Sequence, residues 1–438
     1  MEIRDVIHGS IVIGATETGV IDSLYFQRLR KIKQLGFAEN SFPGATHNRF
    51  SHSLGAMHLA GLVFDTIFRK PESPLKLTRS TASKSNRRHF QRLRTAVRFA
   101  ALLHDIGHGP LSHTTEFAMP PLKDLQLDSV RSNDSKKNRR ATHEDYTLKI
   151  ILESPLTPIL HKALKPLDIS PRHIASILND DVAPHDDFFI IDGINYRPIL
   201  HQMVSSEIDV DRMDYLSRDS YYCGVNYGKF DLAWLVSSLT SHIENDHCYL
   251  TLGHKAIYTF EDFLISRLHM FMIVYFHHKT VIYDEMLAQY LASEDCAYQI
   301  PSDIDAYAFH DDYFLYTHLN QTKNQWAKRI AEKKPLELVG EFTSGMPHTK
   351  IGEQEYGRSI RKLTQTLSRQ EIPFLEKESS SELSKYISGT ERTHKLDPLF
   401  VRYDDKFTTP RAYRLEDCTN LYQNYSRNRT VTRIYAAR

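Results

Sequence analysis

The sequence predicts a mainly α-helical protein with a smaller α+β lobe at its C-terminal end. Three observations carry this expectation. Apolar residues recur at helical spacing over most of residues 22–290. Short strand-like runs (LELVGEF, DPLFVRY and TVTRIYA) gather after about residue 295 and alternate there with helical stretches. The N-terminus, MEIRDVIHGSIVIG, has charge early and only a short apolar run, so it reads as a strand and not as a signal peptide. A boundary near residue 294 follows, with a helical core over 1–294 and the α+β lobe over 295–438.

The elements can be justified in order. IDSLYFQRLRKIKQLG is amphipathic and predicts one helix that stops at Gly36. HSLGAMHLAGLVFDTIF has apolar residues at helical spacing, and VRFAALL predicts a buried helix end. TFEDFLISRLHMFMIVYFHHKTVIYDEMLAQYL is long enough for a central helix, with room for a break. Residues 71–95 and 120–142 are polar and basic and read as surface insertions. Solvation is the simpler reading of their Lys and Arg runs, ahead of a phosphate-rich partner.

Bulk numbers narrow the function classes. A chain of 438 residues admits two to three average domains, or one large core with an appendage. With 55 basic and 54 acidic residues the net charge is +1, which argues against a bulk polyelectrolyte partner. The four cysteines form no CxxC pair, so reduced thiols in a cytoplasm are expected, not disulfides or a cysteine-based zinc site. No uninterrupted apolar run is long enough to span a membrane.

The stretch ALLHDIGHGPLSH, residues 101–113, needs a chemical explanation. It sets three histidines and an aspartate at the end of a core-like helix, where groups costly to bury should be shed. His104 and Asp105 sit where one ion over the helix end could be reached by both. Imidazole with carboxylate suits Fe, Mn, Zn or Ni better than a purely oxygen shell would. His52 in HNRFSHSLG and Asp211 in EIDVDRMDYLSRD are the candidates to complete the shell. Gly107, Gly109 and Pro110 would turn the chain so that its polar groups face one pocket.

The order His52, His104–Asp105, Asp211 resembles the signature of the HD-domain phosphohydrolases. The blocks FPGATHNRFSHSLG, ALLHDIGHGPLSH, THE and IDVDRMDYLSRD are similar to those of the SAMHD-type deoxynucleoside triphosphate triphosphohydrolases. The similarity runs from DVIHG at residue 5 to HHKT near 280. No sterile-alpha-motif domain is expected, because the HD blocks start near the N-terminus, as in bacterial members. The resemblance implies a helical HD core and hydrolysis of dNTPs at the α-phosphorus, giving a deoxynucleoside and triphosphate. It implies a divalent ion (Fe, Mn, Zn, Ni or Mg) held by His52, His104, Asp105 and Asp211. It makes His113 the proton donor to the leaving oxygen, with Glu116 orienting it where the family carries Asp, and His108 and His143 contacts to the phosphates. Arg49, Arg212 and Arg267 would grip the triphosphate. Gln34 and Asp219 would bond the 3′-OH, and Leu35, Tyr215 and Tyr275 would pack where a ribose 2′-OH would go.

The resemblance further implies a homo-oligomer, dimer or tetramer, and a GTP or dGTP activator read by Asp22, Gln27 and Arg30. Asp can accept from guanine N1–H and N2–H₂, and Arg can donate to O6 and N7. Two alternatives differ in product or partner. One is an HD-family deoxynucleoside monophosphatase or another nucleotide phosphohydrolase, which would not need the triphosphate-gripping set. The other is a nucleic-acid-binding or nuclease protein using the basic insertions, which the near-zero net charge and lack of an aromatic platform disfavour.

Overall fold

The computed structural model describes residues 1–75, 83–129, 139–344, 350–381, 397–404, 409–421 and 429–437. Its N-terminal run is a hairpin. Strands β1 (Glu2–Asp5) and β2 (Gly9–Val12) pair antiparallel, with Glu2 opposite Val12 and Asp5 opposite Gly9. The Asp5 carboxylate accepts from the backbone N–H of Ile7 and of His8, both at 2.9 Å, which closes the turn.

Helices α1 (Ala15–Ile21) and α2 (Leu24–Gln27) follow, then a 3₁₀ turn over Arg28–Lys31. The single helix expected over this run is therefore broken. Ser23 is the reason: its hydroxyl donates to Val20 O at 2.6 Å and accepts from Phe26 N at 3.4 Å, ending one helix and capping the next. Gly36 adopts φ +52° in a turn well beyond the last of these elements.

Helix α3 (Arg49–Phe68) is capped by Asn48, whose side chain accepts from Ser51 N, and is buried along most of its length. It is central, packing against α4 (Lys84–Leu103) and against α9 (Val210–Cys223). Between them run α5 (His143–Leu152), α6 (Leu156–Leu164), α7 (Pro171–Leu178), the short strands β3 (Ile190–Ile191) and β4 (Ile194–Asn195), and α8 (Arg197–Val204). Residues 71–95 are not an insertion throughout, because α4 starts at Lys84 and buries Phe90 and Leu93. Its arginines are held: Arg94 pairs with Asp65 at 2.8 and 2.9 Å, and Arg92 donates to Leu167 O at 3.0 Å. In the second basic stretch Leu122, Leu125 and Ala141 are buried and Arg139 pairs with Asp145. The remainder of the two stretches, residues 76–82 and 130–138, lies outside the described residues.

Helix α10 (Leu232–Ser237) precedes β5 (Leu239–Glu244) and β6 (His247–Gly253), an antiparallel pair. The expected long helix is in two parts, α11 (Ile257–Met270) and α12 (His278–Leu291), separated by a π turn over Phe271–Tyr275. Then come α13 (Ile304–Tyr307), α14 (Asp312–Gln321), α15 (Gln325–Ala331), β7 (Glu337–Thr343), α16 (Lys350–Arg369), β8 (Phe374–Ser381), β9 (Phe400–Tyr403), β10 (Arg411–Arg414) and β11 (Arg429–Ala436). Strand β11 lies antiparallel between β7 and β8, while β9 joins β6 in parallel and β10 in antiparallel pairing. The strands expected after residue 295 are thus β7, β9 and β11. All four cysteines are free. Among the described residues no helix is long and apolar enough to cross a membrane.

Arg98 of α4 reaches α1 and forks onto Glu17, at 2.6 and 2.9 Å, with both side chains under a tenth exposed. Removing one partner strands a buried charge. Glu17→Ala is expected to cost about 3–5 kcal/mol in urea unfolding, and Glu17→Leu with Arg98→Met to recover most of it.

Candidate active site

The end of α4, the first turn of α9 and the fourth residue of α3 meet at one point. His52 Nε2 lies 3.3 Å from His104 Nε2 and 3.0 Å from Asp211 Oδ1. His104 Nε2 is 3.4 Å from Asp211 Oδ1 and 3.4 Å from Asp105 Oδ1, and Asp105 Oδ2 is 3.5 Å from His52 Nε2. Ligands at about 2.1 Å from an ion stand about 3 Å apart at right angles, so these separations are the edges of a coordination shell. The other nitrogens are already used. His52 Nδ1 faces Asp214 Oδ2 at 2.7 Å and His104 Nδ1 faces Ala101 O at 2.7 Å, which leaves both Nε2 atoms turned inward. The four expected ligands are therefore brought together, and the donor set fits a divalent transition metal.

The electrostatics ask for a cation. Burial disfavours charge on His52, yet Asp211 and Asp214 outweigh it and push its pKa up to about 10. Burial likewise opposes charge on Asp105, but Arg49, His104 and His108 hold its carboxyl well below the usual range. Arg49 pairs directly with Asp105 and donates to Ser112 Oγ at 2.7 Å.

Beside this centre His108, His113 and His143 gather around Glu116. The carboxylate takes His143 Nδ1 at 2.8 Å, the His143 backbone N–H at 3.1 Å and His113 Nδ1 at 3.1 Å. Burial works against it, but the His113 and His143 bonds hold its carboxyl far below the ordinary value. His108 is 2% exposed, and burial, then Arg49 and His143, push its pKa well down. Its Nδ1 is a buried polar atom without a partner among the described residues. The rings of His108 and His143 stack at 3.9 Å and 14°. The three rings set nitrogens close enough together to hold an ion, and with His113 exposed they also suit a polyanion.

The backbone that presents these groups differs from expectation. The left-handed residues are Leu111 (φ 55°) and Ser112 (φ 59°), not Gly107 or Gly109. Gly107 is needed for close approach: a Cβ there would fall 2.1 Å from His143 O and 2.3 Å from Thr147 N.

A cleft of about 440 Å³ joins the two groups to a third. At that end Asp219 takes His47 Nε2 at 2.7 Å and the Tyr275 hydroxyl at 2.8 Å. Gln34, Leu35, Arg49, Tyr215, Asp219 and Tyr275 all line the cleft. Arg212 and Arg267 do not. Arg212 turns to Asp209 at 2.5 Å and Arg267 lies 3.9 Å from Glu207, so nearby acids claim the two guanidinium groups. Asp22, Gln27 and Arg30 are also away from the cleft and not on one helix. Asp22 is the C-cap of α1, and Arg30 donates to Gln27 Oε1 at 2.8 Å while stacking on Phe50. Sequence reasoning missed Asp214, His47 and Asp284. The signal for Asp214 was its spacing, since Asp211, Asp214 and Arg218 share one stripe of α9.

Fold and site together are those of an HD domain, with a histidine–aspartate cluster that could hold a metal ion. Residues 49–219 match the HD domain and residues 230–335 the HD associated region, so the chain belongs to the HD-domain phosphohydrolase family. It is 31% identical over 301 residues to the uncharacterized protein YwfO of Bacillus subtilis, covering 68% of this chain and 54% of that one. It is 31% identical over 375 residues to the deoxynucleoside triphosphate triphosphohydrolase SAMHD1 of Gallus gallus, covering 80% and 57%. The chain spans a little over half the length of the curated relatives it matches. A crystal structure of a hypothetical protein from Aquifex aeolicus superposes with a TM-score of 0.69 at 25% identity, covering 100% of this chain and 96% of that one.

Asp284 also lines the cleft and accepts from Thr114 Oγ1 at 2.9 Å. Burial raises its pKa from 3.8 to about 7. Its ionised form therefore costs stability, a cost that grows as pH rises from about 4 to about 7 and is constant above. Asp284→Asn is expected to raise the melting temperature more at pH 8 than at pH 5, read by calorimetry at the two pH values.

Proposed function

We propose that the protein hydrolyses deoxynucleoside triphosphates to deoxynucleoside and inorganic triphosphate. The observation that carries this reading is the single cleft joining the His52–His104–Asp105–Asp211 centre, the His108–His113–His143 trio and the Asp219–Tyr275 end. A cluster that could hold a metal, a histidine group suited to phosphates and an Asp–Tyr end suited to a sugar hydroxyl in one cleft support such a substrate. The name printed for the Gallus gallus relative points the same way.

His52, His104, Asp105 and Asp211 would hold the ion, which supplies Lewis acidity and a water of lowered pKa when bound. His108 and His143 contact the phosphates, with the unpartnered His108 Nδ1 as the atom left for the ligand to satisfy. Arg49 pairs with Asp105, lines the cleft beside it and adds positive charge there. Arg212 and Arg267 would have to leave their acids to grip the triphosphate. His113 is the exposed member of the trio and gives its proton to the 5′ oxygen as the Pα–O5′ bond breaks. Glu116 stays ionised behind it and orients the ring through His113 Nδ1. At the far end Gln34 and Asp219 bond the 3′-OH. Leu35, Tyr215 and Tyr275 leave no room for a 2′-OH. In this reading residues 1–294 carry the chemistry in a cytoplasmic homo-oligomer, and a guanine nucleotide at Asp22, Gln27 and Arg30 stimulates it.

Purified protein with Mn²⁺ or Mg²⁺ is expected to release triphosphate from each dNTP tested. Orthophosphate from dNMP instead would sink the proposal in favour of a monophosphatase. Asp105→Ala and Asp211→Ala are expected to lose bound metal, read by elemental analysis, together with turnover. His113→Ala is expected to keep the metal and lose about 100-fold or more in kcat. Addition of GTP is expected to raise the rate, and Asp22→Ala to abolish that rise.

A further inference from the structure

The N-terminal hairpin sends two polar side chains inward to the back of the metal centre. His8 Nε2 lies 2.6 Å from Asp214 Oδ1. Arg218 forks onto the same carboxylate, Nε to Oδ2 at 2.8 Å and Nη2 to Oδ1 at 2.9 Å. Its other edge meets Asp5, Nη1 to Oδ2 at 2.8 Å and Nη2 to Oδ1 at 3.2 Å. The side chains of Asp214 and Arg218 are fully buried, and those of His8 and Asp5 are 4% and 7% exposed. Asp214 Oδ2 in turn receives His52 Nδ1 at 2.7 Å.

We propose that Asp5 and His8 are positioning residues of the metal centre: they fix Asp214, which holds His52 with its proton on Nδ1 and a bare Nε2 toward the ion. The proposal rests on the metal-centre part of the reading above and not on the identity of the substrate. Three features support it. Burying two carboxylates and a guanidinium is a costly way to anchor a hairpin that apolar side chains could hold. The charges leave work for Asp214 to do. Arg218 alone would cancel it, but Asp5 on the far edge returns one net negative charge to the trio, and that keeps Asp214 a strong acceptor for His52. The His8 bond at Oδ1 stops the carboxylate from turning and leaves Oδ2 for His52. Independently, helix α3 leaves space for this arrangement. A Cβ at Gly55 would lie 1.9 Å from Asp214 Oδ1 and 2.5 Å from Arg218 Nη2.

The test uses the full chain, stripped with chelator and titrated with Mn²⁺ and Zn²⁺ by calorimetry, with melting curves as the check on folding. His8→Phe keeps a ring and removes the donor. It is expected to weaken Mn²⁺ binding by about tenfold to a hundredfold in protein that still melts cooperatively, the lost bond to buried Asp214 lowering the melting temperature as well. His8→Gln places an amide nitrogen near the same oxygen and is expected to restore most of the affinity. A purely structural His8 would shift melting and leave affinity alone, so unchanged Mn²⁺ binding by folded His8→Phe overturns the proposal. Should His8→Phe not fold, the Zn²⁺-loaded wild type decides by nitrogen NMR. The proposal requires the His52 proton on Nδ1 and the His8 proton on Nε2, and the opposite tautomer at either ring overturns it. Because the readout is metal affinity, a failure to hydrolyse dNTPs does not enter the result. Wild-type protein that takes up neither ion overturns the metal centre itself.

Discussion

Asp214 is a carboxylate with no exposure, and much of the core is arranged around it. Burial should drive it to take a proton, but Arg218, His52 and His8 outweigh burial and hold its pKa well below the usual range. Each donor comes from a different place: α9 itself, α3 and the N-terminal hairpin. Satisfying this one charge therefore fixes how three elements meet. It also explains why α3, apolar along most of its length, opens a gap at Gly55 where a side chain would collide with the carboxylate. Such a group left half-satisfied would be among the costliest defects a core can carry.

The same device recurs along the cleft. A fixed acceptor behind each ring decides which nitrogen looks inward: Asp214 behind His52, Ala101 O behind His104, and Glu116 behind His143 and His113. Asp219, in the cleft wall, likewise holds the His47 imidazole and the Tyr275 hydroxyl in place. Histidine is well suited because its two nitrogens can be assigned separate tasks. The consequence is a cleft whose polar lining is preorganised, so that little reordering is needed when a charged ligand enters.

Much of this was legible in the sequence, and the limits have physical causes. His104 and Asp105 drew notice as polar groups at a core-like helix end, and the resemblance of the surrounding blocks added His52 and Asp211; the structure brings the four together. The strands β7, β9 and β11 followed from period-two runs, and the break between α11 and α12 from length alone. The helix over 22–36 was misread because amphipathic spacing does not show that the Ser23 hydroxyl can end one helix and start another. Residues 84–95 were misread because a basic helix was taken for an insertion, whereas Arg92 is held by a backbone carbonyl and Arg94 by a carboxylate, both distant in sequence. Asp209, Asp211 and Asp214 lie within one helix start, and only the packing of α9 on α3 separates cap, ligand and support. Arg212 and Arg267 show the converse, since sequence position cannot reveal that Asp209 and Glu207 stand beside them.

The region after residue 295 is tied to the cleft from both sides, and this changes what an appended lobe means here. Asp312, at the start of α14, accepts from Leu111 N at 2.7 Å and from Lys33 N at 2.9 Å. Leu111 is the first of the left-handed residues that turn the HDIGHGPLSH loop, so a side chain about 200 positions away in sequence holds the bend that presents His113. On the opposite wall, Arg433 of β11 donates to Phe276 O at 2.5 Å and the Tyr435 hydroxyl donates to His278 O at 2.9 Å. Those carbonyls flank the break after the π turn that carries Tyr275 into contact with Asp219. Backbone in a π turn and in left-handed residues is not self-supporting in the way a regular helix is. Both irregular segments that shape the cleft are held by bonds from the C-terminal part of the chain. The ligands come from the helical core, but the shape of the space they face is set from both parts.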